Sequence, residues 1–278
     1  MERLVAIDFS RGIAVLMMIF SHIGLFTNIT LKNIKLHRPI SMYGMETIFT
    51  IVGVIAHTLF IILVGVNLVS SYNKQIYIAN RDQEKNTNKH KNRYILRNLK
   101  RSAMIMIFGI FMSIITKLVF GNWVIIFGIF QFISISIILA MPFVMWSVGK
   151  TGIAFFIVLA ITSAFSVFKL DNKCFTYDIL GVINAAFGLN KNVYLDHFPL
   201  FPYFAYVLAG VILGKAIYQN KSMYSSIAKH NKDPSCSTKF LAKIGKNSIK
   251  IYFAHLIIIF FVMRIYLSPS AKSKISIN

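Results

Sequence analysis

The chain has 278 residues, of which 56% are hydrophobic and only 14% are charged, and its mean hydropathy is +0.65. A soluble protein must cover its surface with polar side chains, so this composition indicates a protein that crosses a lipid bilayer several times. The net charge of +21 could suggest a nucleic-acid partner, but Lys and Arg are concentrated in short polar segments between apolar runs. Membrane orientation explains charge in that position, so we expect no nucleic-acid binding.

Seven apolar stretches are long enough to cross a hydrocarbon core of about 30 Å, which takes roughly 20 helical residues. They lack the alternation of polar and apolar residues that is typical of barrel strands. The sequence therefore predicts an all-α, polytopic helical bundle that forms a single integral-membrane domain over residues 1–278. The predicted spans are 4–26, 46–70, 102–120, 123–146, 151–168, 200–218 and 248–267.

Basic residues are concentrated in two of the segments that connect the predicted spans. Residues 71–101 contain nine Lys or Arg, and residues 215–250 contain eight Lys. With seven spans, both segments lie on the same side of the membrane, and the positive-inside rule makes that side cytoplasmic. The sequence thus predicts two basic cytoplasmic loops, a cytoplasmic N terminus and an external C terminus, with the plasma membrane as the expected location.

Two further segments are predicted from their polarity and length. Residues 169–199 form an outer loop, in which the apolar stretch 177–190 is too short to span and is predicted as a re-entrant or interfacial helix. Residues 79–92 are polar and have no apolar periodicity, so the sequence predicts a mobile loop there.

The segment AIDFSRGIAVLMMIFSH, residues 6–22, is apolar enough for a bilayer yet carries Asp8, Arg11 and His22. An ionisable group inside a membrane helix costs about 2.5 to 3.5 kcal/mol on insertion scales, so it requires a partner or a function. Asp8 and Arg11 are an i, i+3 pair, and His22 returns to the same helix face roughly 16 Å beyond Arg11. The three are candidate catalytic residues along a passage. The alternative is that Asp8 and Arg11 only neutralise each other while His22 reaches the outer interface.

Four other polar residues are candidates for substrate binding. His57 lies about halfway along the second predicted span, where its imidazole either satisfies a neighbouring helix or lines the same cavity. Gln131 is equally ambiguous, Asp196 precedes the sixth span at the outer boundary, and His255 lies one turn from Tyr252. The spacing of His, Cys and acidic residues matches no metal-binding pattern, so we expect no metal.

Four motifs follow one another along the chain in a recognisable order. IDFSRGIAVLMMIFSH places ten residues between Arg11 and His22, and it is followed by FGIFQFISISIILAMPF, YLDHFPLFPYFAYVLAGVILG and GKNSIKIYFAHL. Together they resemble the membrane acyltransferases of the heparan-α-glucosaminide N-acetyltransferase catalytic-domain family. The last three are similar to that family's Phe-Gly-x-x-His/Gln, Asp-x-Phe-Pro-Leu-x-Pro-aromatic and Gly-x-x-Ser-x-x-x-Tyr-x-x-His segments. The resemblance covers nearly the whole chain.

The resemblance implies acyl transfer from a cytoplasmic acyl-CoA, with acetyl-CoA as the expected donor, to a hydroxyl or amine of a glycan or other envelope molecule. The imidazole of His22 is suited to take a proton from the acceptor or to receive the acyl group transiently. The guanidinium of Arg11, fixed by Asp8, is suited to bind phosphate or amide oxygens of the donor. His255 and Asp196 would then be secondary residues of the cavity.

Two other classes of function remain open from the residues themselves. The stripe of Asp8, Arg11 and His22 could conduct a proton or a small solute in a transporter or channel. A non-catalytic membrane protein of envelope assembly is the third alternative. The sequence is also compatible with a homo-oligomer.

Overall fold

Every regular element in the described part of the chain is an α-helix. The computed structural model describes residues 4–33, 41–81, 87–120, 125–167, 197–229 and 234–266. Its helices are α1 (Val5–Asn33), α2 (Ser41–Arg81), α3 (Thr87–Phe120), α4 (Ile129–Met145), α5 (Val148–Val167), α6 (Leu200–Gln219), α7 (Lys221–Lys229), α8 (Cys236–Lys246) and α9 (Ser248–Tyr266). The predicted all-α class is thereby confirmed.

Each of the seven predicted spans corresponds to a helix. Not every one of these helices is long and apolar enough to cross a membrane by itself. Within the described residues, α1, α2, α3 and α6 meet that requirement, and α8 with α9 forms a fifth candidate bent by 74°. The remaining two, α4 and α5, are shorter apolar helices. The chain is an integral membrane protein, and a count of seven spans stays a prediction.

The face that α3 presents to its surroundings shows the membrane character directly. Large apolar side chains are exposed along one face of α3 at helical spacing over about four successive turns. A face of this kind is unfavourable in water and is typical of a helix that contacts lipid. The stripe consists of Met104, Ile107, Phe111, Ile114 and Leu118.

The basic segment 71–101, predicted as a loop, is largely helical. α2 continues to Arg81 and α3 begins at Thr87, so the mobile loop predicted at 79–92 is wrong for most of its length. The physical reason is that the segment contains neither Gly nor Pro, whereas Lys, Arg and Gln are good helix formers.

The second basic segment, 215–250, is also mostly helical. It begins inside α6 and includes α7 and α8, both of which the sequence analysis treated as loop. The predicted outer loop at 169–199 lies outside the described residues except for its last three, and so does the predicted re-entrant helix at 177–190.

The described residues divide into two compact units. In the first, which runs from Ile61 to Ser226, α2 and α6 approach closely at glycines on both helices. A Cβ on Gly65 would overlap the backbone of Val207, and one on Gly210 would overlap the carbonyl of Ile62. Small residues at helix crossings of this kind are typical of membrane bundles.

α4 is the buried helix of the first unit. Eleven of its seventeen residues are buried, and they lie on all sides of the helix. Against α3, the hydroxyl groups of Ser102 and Ser134 each donate to the backbone carbonyl of the other residue, at 2.8 and 2.9 Å. The backbone N–H of Phe198, just before α6, donates to the carbonyl of Phe127, just before α4, at 3.0 Å.

The second unit contains α1, the first half of α2 up to Phe60, α8 and α9. α1 and α2 are joined by the hydroxyl of Ser21, which donates to the carbonyl of Phe49 at 2.8 Å. A Cβ on Gly53 would overlap that same hydroxyl, so the helices are in close contact there. This unit carries most of the residues that the sequence singles out for function.

Candidate active site

The predicted pair of Asp8 and Arg11 is present near the start of α1. Nη1 of Arg11 lies 3.2 Å from Oδ1 of Asp8, whose side chain is only 1% exposed, against 15% for Arg11. Because α1 is helical at both residues, the i, i+3 spacing brings the two side chains to the same face. The pairing is confirmed, and the cation keeps partial access to its surroundings.

A backbone contact between α1 and α8 fixes the position of this pair. A Cβ on Gly245 of α8 would overlap the carbonyl oxygen of Asp8, and one on Gly12 would overlap the carbonyl oxygen of Leu241. Only glycine lets two helix backbones approach so closely. Two glycines, one on each helix, therefore hold α8 against the turn of α1 that carries Asp8 and Arg11.

His22 is paired with a histidine from the other end of the chain. Its Nδ1 lies 2.9 Å from Nε2 of His255, which belongs to α9 and is 9% exposed. Nδ1 of His255 in turn lies 3.3 Å from the carbonyl oxygen of Ile251, one turn earlier in α9. The two rings are within 15° of parallel, with centroids 5.3 Å apart.

Two more side chains of the second unit surround this histidine pair. The ring of Tyr252, buried in α9, lies 5.9 Å from the ring of His22 and 4.9 Å from that of His255. His57 of α2 is half-buried, lies one turn after Gly53, and interacts electrostatically with His22. The three candidate histidines, His22, His57 and His255, thus come from three helices, α1, α2 and α9.

Gln131 has a structural environment in the first unit. Its Oε1 accepts from the backbone N–H of Gly128 at 3.1 Å, and its Nε2 donates to Oγ of Ser113 at 2.9 Å. The first bond belongs to a capping arrangement at the start of α4, and the second ties α4 to α3. Both ends of the amide are therefore engaged in positioning α4. Asp196 lies outside the described residues.

One buried cation was not predicted as an individual residue, because it falls among the lysines of the predicted basic loop 215–250. Lys215 lies in α6, is 2% exposed, and is the only charged residue of that helix. Its Nζ donates to the carbonyls of Phe143 and Trp146 and to Oγ1 of Thr151, at 2.6, 2.7 and 2.9 Å. A lone cation in an apolar run was the available signal.

The chemistry available to the second unit is proton transfer and anion binding. The paired imidazoles can take up, share and release a proton, and the guanidinium of Arg11 can bind an anion. The helix between Arg11 and His22 is continuous, so the two groups lie roughly 16 Å apart along it. Among the described residues, no group of three or more His, Cys, Asp or Glu side chains is arranged to hold a metal ion.

Comparison with known proteins gives one match. A family model described as heparan-alpha-glucosaminide N-acetyltransferase, catalytic, matches residues 3–257, which is nearly the whole chain. No curated protein and no solved structure matches the chain. The matched range includes every residue of the site described above.

Proposed function

Since the chain belongs to the heparan-alpha-glucosaminide N-acetyltransferase catalytic family, which implies a membrane acetyltransferase, we propose that it transfers an acetyl group from acetyl-CoA to a glycan. The family uses acetyl-CoA as donor in general. In the proposed reaction the donor is bound from the cytoplasm, and a hydroxyl or amine of the acceptor reacts at the outer side of the plasma membrane. The observation that carries the proposal is that α1 holds both the buried ion pair of Asp8 with Arg11 and His22, whose ring is hydrogen-bonded to His255 of α9.

His22 acts as the general base in this reaction. It takes the proton of the acceptor hydroxyl or amine as the acceptor oxygen or nitrogen attacks the thioester carbon. A bond forms between that atom and the acetyl carbon, the carbon–sulfur bond breaks, and the departing CoA thiolate receives the proton from the imidazolium. Atoms and charges balance, and His22 returns to its starting state. The hydrogen bond to His255 supports the role, because it orients the ring of His22.

Arg11 binds the donor. A guanidinium is permanently charged and offers several N–H groups in a fixed plane, which suits the phosphate and carbonyl oxygens of acetyl-CoA. Asp8 holds it in place. Lys243 and Lys246 of α8 are exposed, and Lys246 directly follows the glycine that touches Asp8. These charges add to the attraction of the polyanionic donor on the same side.

The remaining predicted substrate-binding residues have different roles in the proposed mechanism. We propose His57 as an acceptor-side residue because it lies near His22, and we retain Asp196 as a second one on the grounds of its sequence position. For Gln131 the contacts support a role in positioning α4, because both ends of its amide are bonded within the protein.

The proposal is tested by replacing His22 and Arg11 separately in protein reconstituted into liposomes. His22→Ala should lower acetyl transfer by about 10² to 10⁴ while leaving acetyl-CoA binding nearly unchanged, because a general base acts mainly on the transition state. Arg11→Ala should instead weaken acetyl-CoA binding. The measurements are the dissociation constant of acetyl-CoA and the rate of transfer of its labelled acetyl group to membrane glycans.

Ser10→Ala is the matched control, because Ser10 lies between Asp8 and Arg11 on α1 and its hydroxyl bonds only to the preceding turn, at Ala6, in the contacts described. It should keep both binding and transfer. Full transfer by His22→Ala would contradict the assignment of the base, and absence of acetyl-CoA binding by the unmodified protein would contradict the enzyme and favour a transporter.

A further inference from the structure

We infer that His255 fixes the neutral His22 in the tautomer that is protonated at Nδ1, so that Nε2 is the atom of His22 that takes the proton. His255 is a positioning residue in this arrangement. Catalysis by that atom rests on the proposed function, whereas the tautomer itself can be measured without turnover.

Two consecutive hydrogen bonds link Ile251, His255 and His22, and the carbonyl of Ile251 determines which atom donates in each of them. The oxygen of Ile251 can only accept, so Nδ1 of His255, at 3.3 Å, must be the donor. A neutral imidazole carries one proton, which leaves Nε2 of His255 as an acceptor. Nδ1 of His22, 2.9 Å away, must then carry the proton of the second bond. It follows that the lone pair of His22 is on Nε2.

The relative position of the two rings agrees with a strong bond. The ring centroids are 5.3 Å apart. That is close to the sum of the N···N distance, 2.9 Å, and the distance from centroid to nitrogen in each of the two rings. The planes differ by only 15°. The rings are therefore side by side and not stacked face to face, and the N–H of His22 points along the lone pair of His255. This geometry selects one tautomer over the other.

The same arrangement stabilises the charged state that forms during transfer. When Nε2 of His22 takes a proton, its Nδ1–H becomes part of an imidazolium, and the bond to His255 becomes charge-assisted. His255 is buried and is held by its own bond to the backbone of α9, so little reorganisation is needed. The carbonyl of Ile251 and the two imidazoles thus form a relay that orients the base and supports its charge.

The tautomer is tested directly by nitrogen NMR of the protein in lipid nanodiscs, with ¹⁵N-labelled histidine. The chain has seven histidines, and difference spectra against His22→Gln identify the signals of His22. The expected result is a protonated Nδ1 and an unprotonated Nε2. A protonated Nε2 with an unprotonated Nδ1 would overturn the inference.

Kinetics of His255 variants supply the second readout. His255→Leu cannot accept a hydrogen bond and should lower kcat by about 100-fold, with the KM for acetyl-CoA changed less than about threefold, since a wrong tautomer leaves donor binding intact. His255→Gln places an amide oxygen near the former Nε2 and should recover most of kcat. Leu256→Ala, which removes a buried side chain from the same turn of α9, controls for loss of packing and should keep the tautomer.

Equal activity of His255→Leu and the unmodified protein would also overturn the positioning role. Failure of the proposed function gives a different pattern: the expected tautomer of His22 would be observed, and no variant, nor the unmodified protein, would transfer an acetyl group. That result supports the tautomer and contradicts the reaction.

Discussion

Three of the ionisable groups within the candidate membrane spans, Lys215, Arg11 and His22, have surroundings that separate a structural role from a functional one. Lys215 has three N–H donors and three acceptors around it, and it is 2% exposed, which is the environment of a structural cation. Arg11 is bound to Asp8 but keeps 15% exposure, so it can still reach a ligand. His22 is bound to another titratable ring and can exchange protons. Burial alone would not distinguish these roles.

The ion pair of Asp8 and Arg11 should behave as one unit in stability. Removing one partner leaves the charge of the other in a nonpolar environment, which costs about 2.5 to 3.5 kcal/mol. We therefore expect Asp8→Asn and Arg11→Gln each to lower the free energy of unfolding in detergent, and the double variant to lose less than the sum of the two. The coupling should be at least about 1 kcal/mol, measured by a double-mutant cycle.

Losses that simply add would contradict the coupling and would leave Asp8 as an independent residue. Thr50→Ala, an exposed position whose hydroxyl bonds to the carbonyl of Glu46 in its own helix, should combine additively with either variant.

At the scale of elements, α8 is the helix that determines where the ion pair lies. It is short and basic, only Ala242 and Gly245 are fully buried in it, and it meets α9 at a bend of 74°. Its buried face is the one that touches α1, through the backbone of Asp8 and Gly12. Any side chain at Gly245 must therefore move α8 away from the turn that carries Asp8 and Arg11.

Gly245→Ala should for this reason be destabilising, although alanine is favoured over glycine within a helix. We expect a loss of roughly 1–3 kcal/mol, the usual range for overpacking, and weaker binding of acetyl-CoA. Gly152→Ala is the matched control, because no atom lies within 4 Å of a Cβ at that position of α5. It should be neutral or slightly stabilising in the same thermal unfolding and binding assays. Equal effects of both substitutions would show that the contact with α1 is not tight.

The sequence was sufficient to predict the apolar part of each helix but not its ends. Hydropathy marks where a helix contacts lipid, whereas α2 and α3 continue beyond that zone into polar residues. The absence of Gly and Pro from 71–101 favours continued helix, whereas the polarity of 79–92 suggests a loop, and the absence of helix breakers is the better predictor here. Ends of helices depend on such local residues and not on mean hydropathy.

The candidate site was predictable to the extent that its residues are close in sequence. Asp8 and Arg11 are three residues apart, so helical periodicity alone pairs them. His22 and His255 are 233 residues apart, and their pairing depends on how α1 packs against α9. Periodicity places each histidine on its own helix but carries no information about which helices are neighbours. The role of His255 as a partner of His22 was accordingly beyond the sequence.

At the scale of the whole molecule, the first unit indicates how deep α4 reaches. Its 17 residues extend roughly 25 Å, slightly less than a hydrocarbon core of about 30 Å. Yet α4 runs alongside α6, which is long enough to span. The residues before the two helices are hydrogen-bonded at Phe127 and Phe198, and the other ends are joined by Lys215, which binds the carbonyls of Phe143 and Trp146. α4 therefore runs beside α6 in the same direction, and we expect it to cross the same layer.

This parallel arrangement affects the number of spans but not its parity. Four single helices and the bent pair of α8 and α9 make up to five spans, and α4 with α5 would add two. If the bent pair crosses as one span, both totals, five and seven, are odd, and the N and C termini are expected on opposite sides of the membrane. From the distribution of Lys and Arg we then expect a cytoplasmic N terminus.

Cysteine accessibility tests the depth of α4 and the orientation together. Cys174 and Cys236 are first replaced by serine, and single cysteines are introduced at Ser147, in the exposed turn between α4 and α5, and at Asn220, directly after α6. Because Lys215 joins these two regions, both cysteines should react with a membrane-impermeant maleimide from the cytoplasmic side only. Ile138→Cys, on the exposed face in the middle of α4, should be protected by lipid.

Tags at the two termini complete this test. A tag at the N terminus should be accessible only from the cytoplasm and a tag at the C terminus only from outside. Labelling of Ser147→Cys and Asn220→Cys from opposite sides would mean that α4 and α5 do not cross with α6. Two tags on the same side would mean that the bent pair does not cross the membrane, and the proposed transfer from a cytoplasmic donor at Arg11 to an external acceptor at His22 would lose its topological basis.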